Sequence, residues 1–143
     1  MILSPALIIT IAIQVGCQIF KFLYYSILHR QIEIKRLFST GGMPSAHTAF
    51  VSALTVSVGL TSGLDSMEFC IAMVLSIIVV FDALRLRSTV DKHSQILKKL
   101  VKLLPKNLAD FQPAKVGHNR KEVLVGLVVG ISLSATAYFL FVA

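Results

Sequence analysis

The chain has 143 residues, 55% of them hydrophobic, with a mean hydropathy of +0.79 and a formal net charge of +7. A single domain's worth of sequence this apolar is richer in hydrophobic residues than the roughly 45–50% of ordinary globular domains, which excludes a typical soluble fold. The charge does not read as a nucleic-acid footprint, because the basic residues crowd beside apolar segments, as they do in loops lying on anionic lipid.

Ile2 to Phe20 is a nearly unbroken apolar run, and a first membrane span is expected over residues 2–22. A signal peptide would carry a basic start and a small-residue cleavage site; this run has neither and leads into Gln18 and Lys21, so a retained helix is expected. Gln14, Gln18 and Lys21 follow i, i+4 and i+3 steps and share one helical face. Lys21 is open to two readings, a side chain snorkelling to the headgroups or a cation turned inward.

The next feature is STGGMPSAHTA, residues Ser39 to Ala49. Gly41 and Gly42 allow a tight turn and close approach of backbone to a ligand. Pro44 suits a first helical turn, and the free N–H groups there, with the helix dipole, make a ready anion site. Ser45 adds a hydroxyl, and His47 can donate or accept a proton. The apolar run from Pro44 to Leu60 is rich in Ala, Val, Ser and Thr, and a second span is expected over residues 44–61. Phe69 to Phe81 forms the core of a third, over 67–86. That span ends in Asp82, Arg85 and Arg87, where an acid flanked by arginines can orient them toward a phosphate or a neighbouring His. The competing reading is an interfacial ion pair worth ~0–1 kcal/mol.

Val90 to Leu104 is amphipathic: Val90, Ile96, Leu97, Leu100, Val101 and Leu104 can share a face, with Lys92, His93, Lys98, Lys99 and Lys102 mostly elsewhere. This pattern is that of an interfacial helix, which Pro105 would end. The fourth span, over 122–142, opens with GHNRKEV, residues Gly117 to Val123. His118 and Glu122 are i and i+4, and steps of four continue through Gly126, Gly130 and Ser134. Small residues at that spacing let another helix pack closely, so the stripe faces protein rather than lipid, and the Gly126/Gly130 face is also a candidate contact for a homo-oligomer. Cys17 and Cys70 both fall in apolar runs and read as buried thiols, not a disulfide.

The expected fold class is therefore all-α: one domain over 1–143, an integral membrane four-helix bundle with a cytoplasmic interfacial amphipathic helix. All Lys and Arg lie either from the end of the first span onward to the second or from the end of the third to the start of the fourth, whereas the loop from Thr61 to Glu68 holds only acidic charge, Asp65 and Glu68. The positive-inside rule puts both basic loops in the cytoplasm and both termini outside, as in a multi-pass protein of a bacterial inner membrane. Alternating spans then bring His47, His118, Glu122, Asp82, Lys21 and the glycine-rich helix start into one layer. Phosphoryl transfer uses such a set: a nucleophilic His, a carboxylate to orient it, a second His to protonate the leaving oxygen, and cations and N–H groups to hold the phosphoryl oxygens. A metal site from His47, His118, His93 and Asp82 is the less favoured arrangement, because no His-x-x-x-His or Cys pair supports it; no metal and no cofactor are expected.

These motifs resemble those of a known group. GGMPSAHTA is similar to the PSGH motif of the type 2 phosphatidic acid phosphatases, and His118-x-x-x-Glu122 to the His-x-x-x-Asp part of their third motif. The whole chain resembles the divergent PAP2-like membrane family named acid phosphatase/vanadium-dependent haloperoxidase-related, with TGGMPSAH, FDALRLR and VGHNRKEV standing at its motifs. The resemblance implies that His118 is the nucleophile that forms a phosphohistidine, Glu122 its orienting acid and His47 the general acid. It further implies phosphate contacts from Lys21, Gly42, Ser45 and Arg87, supported by Asp82 and Arg85. The chain departs from the phosphatase pattern at Ala46 for Gly, at Glu122 for Asp, and at Phe111 and Gln112 where a Ser-Arg pair would fall.

The expected function is that of a membrane phosphatase or phosphotransferase, independent of metal, acting on an amphiphilic lipid phosphate or pyrophosphate. The alternative is a catalytically inactive relative that binds or moves phosphorylated lipids, or serves as a structural or regulatory membrane partner. Membrane lipid is the expected partner and nucleic acid is not.

Overall fold

A computed structural model of the chain describes residues 4–30, 42–101 and 120–143. Five helices run through them: α1 (Pro5–His29), α2 (Ala46–Ser62), α3 (Met67–Leu84), α4 (Leu86–Val101) and α5 (Arg120–Phe141). There is no strand among the described residues. Among the described residues, three helices are long and apolar enough to cross a membrane: Pro5–Leu28 of α1, Met67–Leu84 of α3 and Arg120–Phe141 of α5.

Local chemistry sets most of the boundaries. Ser4 caps α1, its hydroxyl accepting from the Leu7 N–H at 3.3 Å, and Pro5 begins the helix where a missing N–H costs nothing. Ser45 and Ser66 cap α2 and α3 in the same way. The first helix outruns its expected end at residue 22 and continues to His29, where Arg30 turns left-handed with φ 52°. Lys21 prompted the shorter span, but no helix breaker follows it, and Tyr24 and Tyr25 suit the membrane–water boundary. Lys21 therefore lies two turns inside the helix. The third and fourth apolar helices begin and end within two residues of expectation. The amphipathic helix starts at Leu86 rather than Val90, directly after Arg85; residues 102–104 and Pro105 lie outside the described residues.

The short helix α2 is the centre of the molecule, packed against α1, α3 and α5. Its small side chains are what let three neighbours approach. Ala46, Ala49 and Ala53 join Ile9, Ile13 and Cys17 of α1 in the buried core, with Val129, Ala137 and Tyr138 of α5 packed against it. On the α5 side the approach is closest. A Cβ built on Gly126 would stand 2.5 Å from the Ser45 carbonyl oxygen, and one on Gly130 would collide with the Ala49 carbonyl oxygen. The small-residue stripe thus faces protein, and the helix it receives is α2 of the same chain, which occupies the face offered above to a second copy. On the α3 side hydroxyls make the joint. Thr55 and Ser76 share a 2.6 Å hydrogen bond, and the Ser76 hydroxyl also reaches the Val51 carbonyl at 2.8 Å. In an environment without water such bonds hold helices together where hydrophobicity cannot. Cys17 is buried as expected; Cys70 is exposed on α3, so the expectation of two buried thiols is corrected for the second, and both are free.

Candidate functional site

The starts of α2 and α5 meet. The backbone N–H of Ser45, the residue that caps α2, donates to the Glu122 carbonyl oxygen in the first turn of α5 at 3.0 Å. That bond ties the glycine-rich motif to the motif that contains Glu122. α1 runs past this junction and supplies Lys21, which is 3% exposed. The ammonium is within electrostatic range of the Glu122 carboxylate, and Cys17 stands one turn back on the same helix. Burial settles the two readings of Lys21: the side chain turns inward and does not snorkel.

Gly42 occupies the turn before α2 at φ +82°, a conformation that side chains rarely tolerate. It also packs against Tyr25 of α1; a Cβ there would stand 2.7 Å from the phenol oxygen. Pro44 and Ser45 are buried behind it. The Ser45 hydroxyl serves first as a cap, accepting from the Thr48 N–H at 3.4 Å and from the Thr48 hydroxyl at 3.0 Å. Its own O–H remains a donor, as a phosphate contact would need. His47 is half-buried in the first turn of α2, and Glu122 is half-buried in the first turn of α5. Lys21, Gly42, Ser45 and Glu122 therefore belong to one neighbourhood at the α1–α2–α5 junction. His118 lies outside the described residues; by sequence it precedes Glu122 by four and α5 by two.

The FDALRLR segment falls on the other flank of α5. Asp82 is half-buried near the end of α3. Arg85 is exposed at the α3 C-terminus, with its guanidinium 5.6 Å from the centre of the Phe81 ring. It lines a cleft of about 760 Å³ with Lys92 of α4 and Arg120 of α5, apart from Lys21. Arg87 is in the first turn of α4. Among the described residues, no three His, Cys, Asp or Glu side chains gather where they could hold a metal ion.

Two features were not singled out in the sequence. Tyr25 lies one turn beyond Lys21, so that Cys17, Lys21 and Tyr25 line up at steps of four; the same periodicity that linked Gln14 and Gln18 would have found it. Those two glutamines point into the protein: their side-chain Oε1 atoms are buried with no hydrogen-bond partner among the described residues. The second feature is a groove of about 790 Å³ between α1 and α5, with Tyr25, Pro44 and Glu122 at one end and apolar walls along the rest.

Comparison with known proteins agrees with the motifs. A family model described as "Divergent PAP2 family" matches residues 3–133. The chain is 32% identical over 148 residues to the uncharacterized membrane protein YuiD of Bacillus subtilis (strain 168), a match that covers 93% of this chain and 94% of that protein. No solved structure matches.

Proposed function

The chain belongs to the divergent PAP2 family of membrane proteins, and on that premise we propose that it is a membrane phosphatase or phosphotransferase that removes a phosphoryl group from a lipid phosphate or pyrophosphate. The observation that carries this reading is Lys21. A cation 3% exposed within a membrane-spanning helix is expensive to maintain, and one held beside a carboxylate and a helix start is suited to receive an anion.

In the proposed reaction an imidazole nitrogen of His118 attacks phosphorus. The bond from phosphorus to the lipid oxygen breaks, and His47 gives that oxygen its proton. Glu122 accepts the other N–H of His118, fixing the tautomer and stabilising the charge that develops on the ring. Water then attacks the phosphohistidine, losing its proton to His47, and inorganic phosphate departs from a regenerated His118. Lys21, Ser45 and the backbone at Gly42 hold the phosphoryl oxygens, whose charge grows in the transition state. The segment of Asp82, Arg85 and Arg87 stands on the other flank of α5 and acts on this set through a longer-range field.

The membrane arrangement is part of the same proposal. α2 makes a fourth crossing, shielded by its three neighbours. α4 lies on the membrane surface, since Val90, Ile96, Leu97 and Leu100 are exposed together with the polar Lys92, His93 and Lys99. Both basic loops and the site face the cytoplasm.

The test is phosphate release from phosphatidate by the purified protein in detergent, compared with His118→Ala. Release should fall to background in the variant; equal rates in the two proteins would sink the proposal. One observation favours a second reading: Phe111 and Gln112 stand where the phosphatases carry Ser-Arg. A protein that binds phosphorylated lipid without turnover would retain lipid phosphate in an equilibrium assay and release none.

A further inference from the structure

Gly16 stands apart from the other helical glycines. Gly126 and Gly130 are required by the close approach of α2, and a Cβ on Gly59 would press against Phe69. A Cβ on Gly16 would meet nothing within 4 Å. Helix packing gives no reason for a glycine there, although glycine inside a helix is about 0.8–1 kcal/mol less favourable than alanine. What Gly16 does border is the groove between α1 and α5.

That groove has a polar end and an apolar length. Glu122 and Tyr25 mark the end nearest Lys21; Ala12, Ile13, Val125, Val129 and Leu133 mark the walls running away from it. From Glu122 to Leu133 the helix rise gives about 16 Å. A single leaflet's share of a hydrocarbon core ~30 Å thick is about 15 Å. A trough as long as one leaflet is deep, lined at one end by a carboxylate and a phenol next to the buried Lys21, has the dimensions and polarity of an extended lipid.

Resting on the phosphatase reading above, we infer that this groove takes one hydrocarbon chain of the lipid phosphate, admitted sideways from the bilayer, and that Gly16 keeps the groove open. The headgroup then reaches Lys21 and Glu122 without leaving its leaflet. The chain lies across Gly16, where a bulky side chain would project into its path. The substrate class is accordingly a membrane-resident phosphate whose long chain contributes to binding, as opposed to a soluble phosphate ester.

The experiment uses the full-length protein in phosphatidylcholine nanodiscs, with a phosphatidic acid probe carrying a photoactivatable diazirine midway along one acyl chain. Cross-links are expected on the α1 and α5 walls, saturable by unlabelled phosphatidic acid. They should fall at least 5-fold in Gly16→Phe, and remain in Gly16→Ala. Val125→Phe plugs the same groove from the opposite wall and serves if the first variant does not fold. Labelling of those walls that does not saturate, or that survives both plugs, overturns the inference. Turnover gives a second arm. Gly16→Phe should lose at least 10-fold on long-chain phosphatidic acid while retaining release from a soluble short-chain analogue; equal loss on both by the folded variant counts against the groove. If the wild-type protein releases no phosphate from either, the hydrolytic proposal fails, and the groove stands or falls on the saturable cross-links alone.

Discussion

The two flanks of α5 carry the same kind of charge in opposite settings. On the α1–α2 flank Lys21 is withdrawn from solvent beside Glu122. On the α3–α4 flank Arg85, Lys92 and Arg120 are exposed around an open cleft. Exposed cations near a membrane surface need no special justification: they stay hydrated and contribute a screened field. A buried cation needs one, because removal from water costs several kcal/mol that only a partner or a ligand returns. The difference separates the flank that the proposed reaction would use from a flank suited to electrostatic contact with lipid.

Replacing Lys21 gives the largest effect and the sharpest way to break that distinction. Lys21→Met keeps the length and apolar stem and deletes the ammonium. Phosphate release should drop about 100-fold or more, the scale seen when one preorganised donor to a developing oxyanion is removed. Stability should fall as well, because removing one member of a buried charge pair withdraws the counter-charge from the other. Thermal unfolding in detergent and release assays on the same preparation check both halves. Full activity in Lys21→Met would remove the central residue of the proposed site.

The next effect compares two glycines. Gly130→Ala forces a methyl group against the Ala49 carbonyl oxygen and within 2.9 Å of the Ser52 Cβ. Overpacking of this kind costs about 1–3 kcal/mol, read as a lower unfolding midpoint. Gly16→Ala meets no neighbour and gains helix propensity, so its midpoint should stay level or rise by up to about 1 kcal/mol. Equal destabilisation of the two would mean that the α2–α5 approach is not the tight joint described above.

Much of this was legible before any coordinates. The apolar helices follow from uninterrupted hydrophobic runs, and the inward stripe of Gly126, Gly130 and Ser134 follows from steps of four, because both signals are local. The expected end of α1 at residue 22 falls short of His29 because a lysine inside an apolar run reads as its end, whereas the buried Lys21 shows the helix continuing past an inward-turned charge. The exposure of Cys70 was equally hidden, since hydropathy does not distinguish the protein-facing side of a membrane helix from the lipid-facing side. Sequence expects all the candidate residues in one layer; His118 lies outside the described residues, and Lys21 lies two turns inside α1 rather than at its end. Sequence could not assign Arg85 to one flank of α5 and Lys21 to the other, because that depends on helix rotation about α2. The groove was not legible at all: it is a space between α1 and α5, which are distant in sequence.

A smaller effect is expected within the α2–α3 joint. Ser76→Ala removes the donor to the Val51 carbonyl and the 2.6 Å partner of Thr55. The Thr55 hydroxyl retains its bonds to the Val51 carbonyl at 3.0 Å and the Ala72 carbonyl at 3.2 Å, so no buried hydroxyl is orphaned. Interhelical bonds of this type average about 0.6 kcal/mol in membrane proteins. Unfolding in detergent should register a loss of that order, with lipid-phosphate binding unchanged. A loss of several kcal/mol would shift the weight of the fold from the α2–α5 approach to the α2–α3 joint.

The smallest effect belongs to the exposed flank. Arg85→Ala and Arg120→Ala leave the Lys21–Glu122 neighbourhood intact. Each should reduce phosphate release by no more than about 3-fold at low salt, because solvated charges near a membrane act mainly through a long-range field. At ~0.15 M salt, where the screening length falls to about 8 Å, the difference from wild type should shrink further. Lys21→Met should show no such recovery, since a buried charge is screened much less. A salt titration of release by the three variants makes the comparison directly. If Arg85→Ala or Arg120→Ala matched the loss in Lys21→Met and resisted salt, the cleft on the α3–α4 flank would hold the reacting phosphate, and the division between the two sides of α5 would have to be redrawn around it.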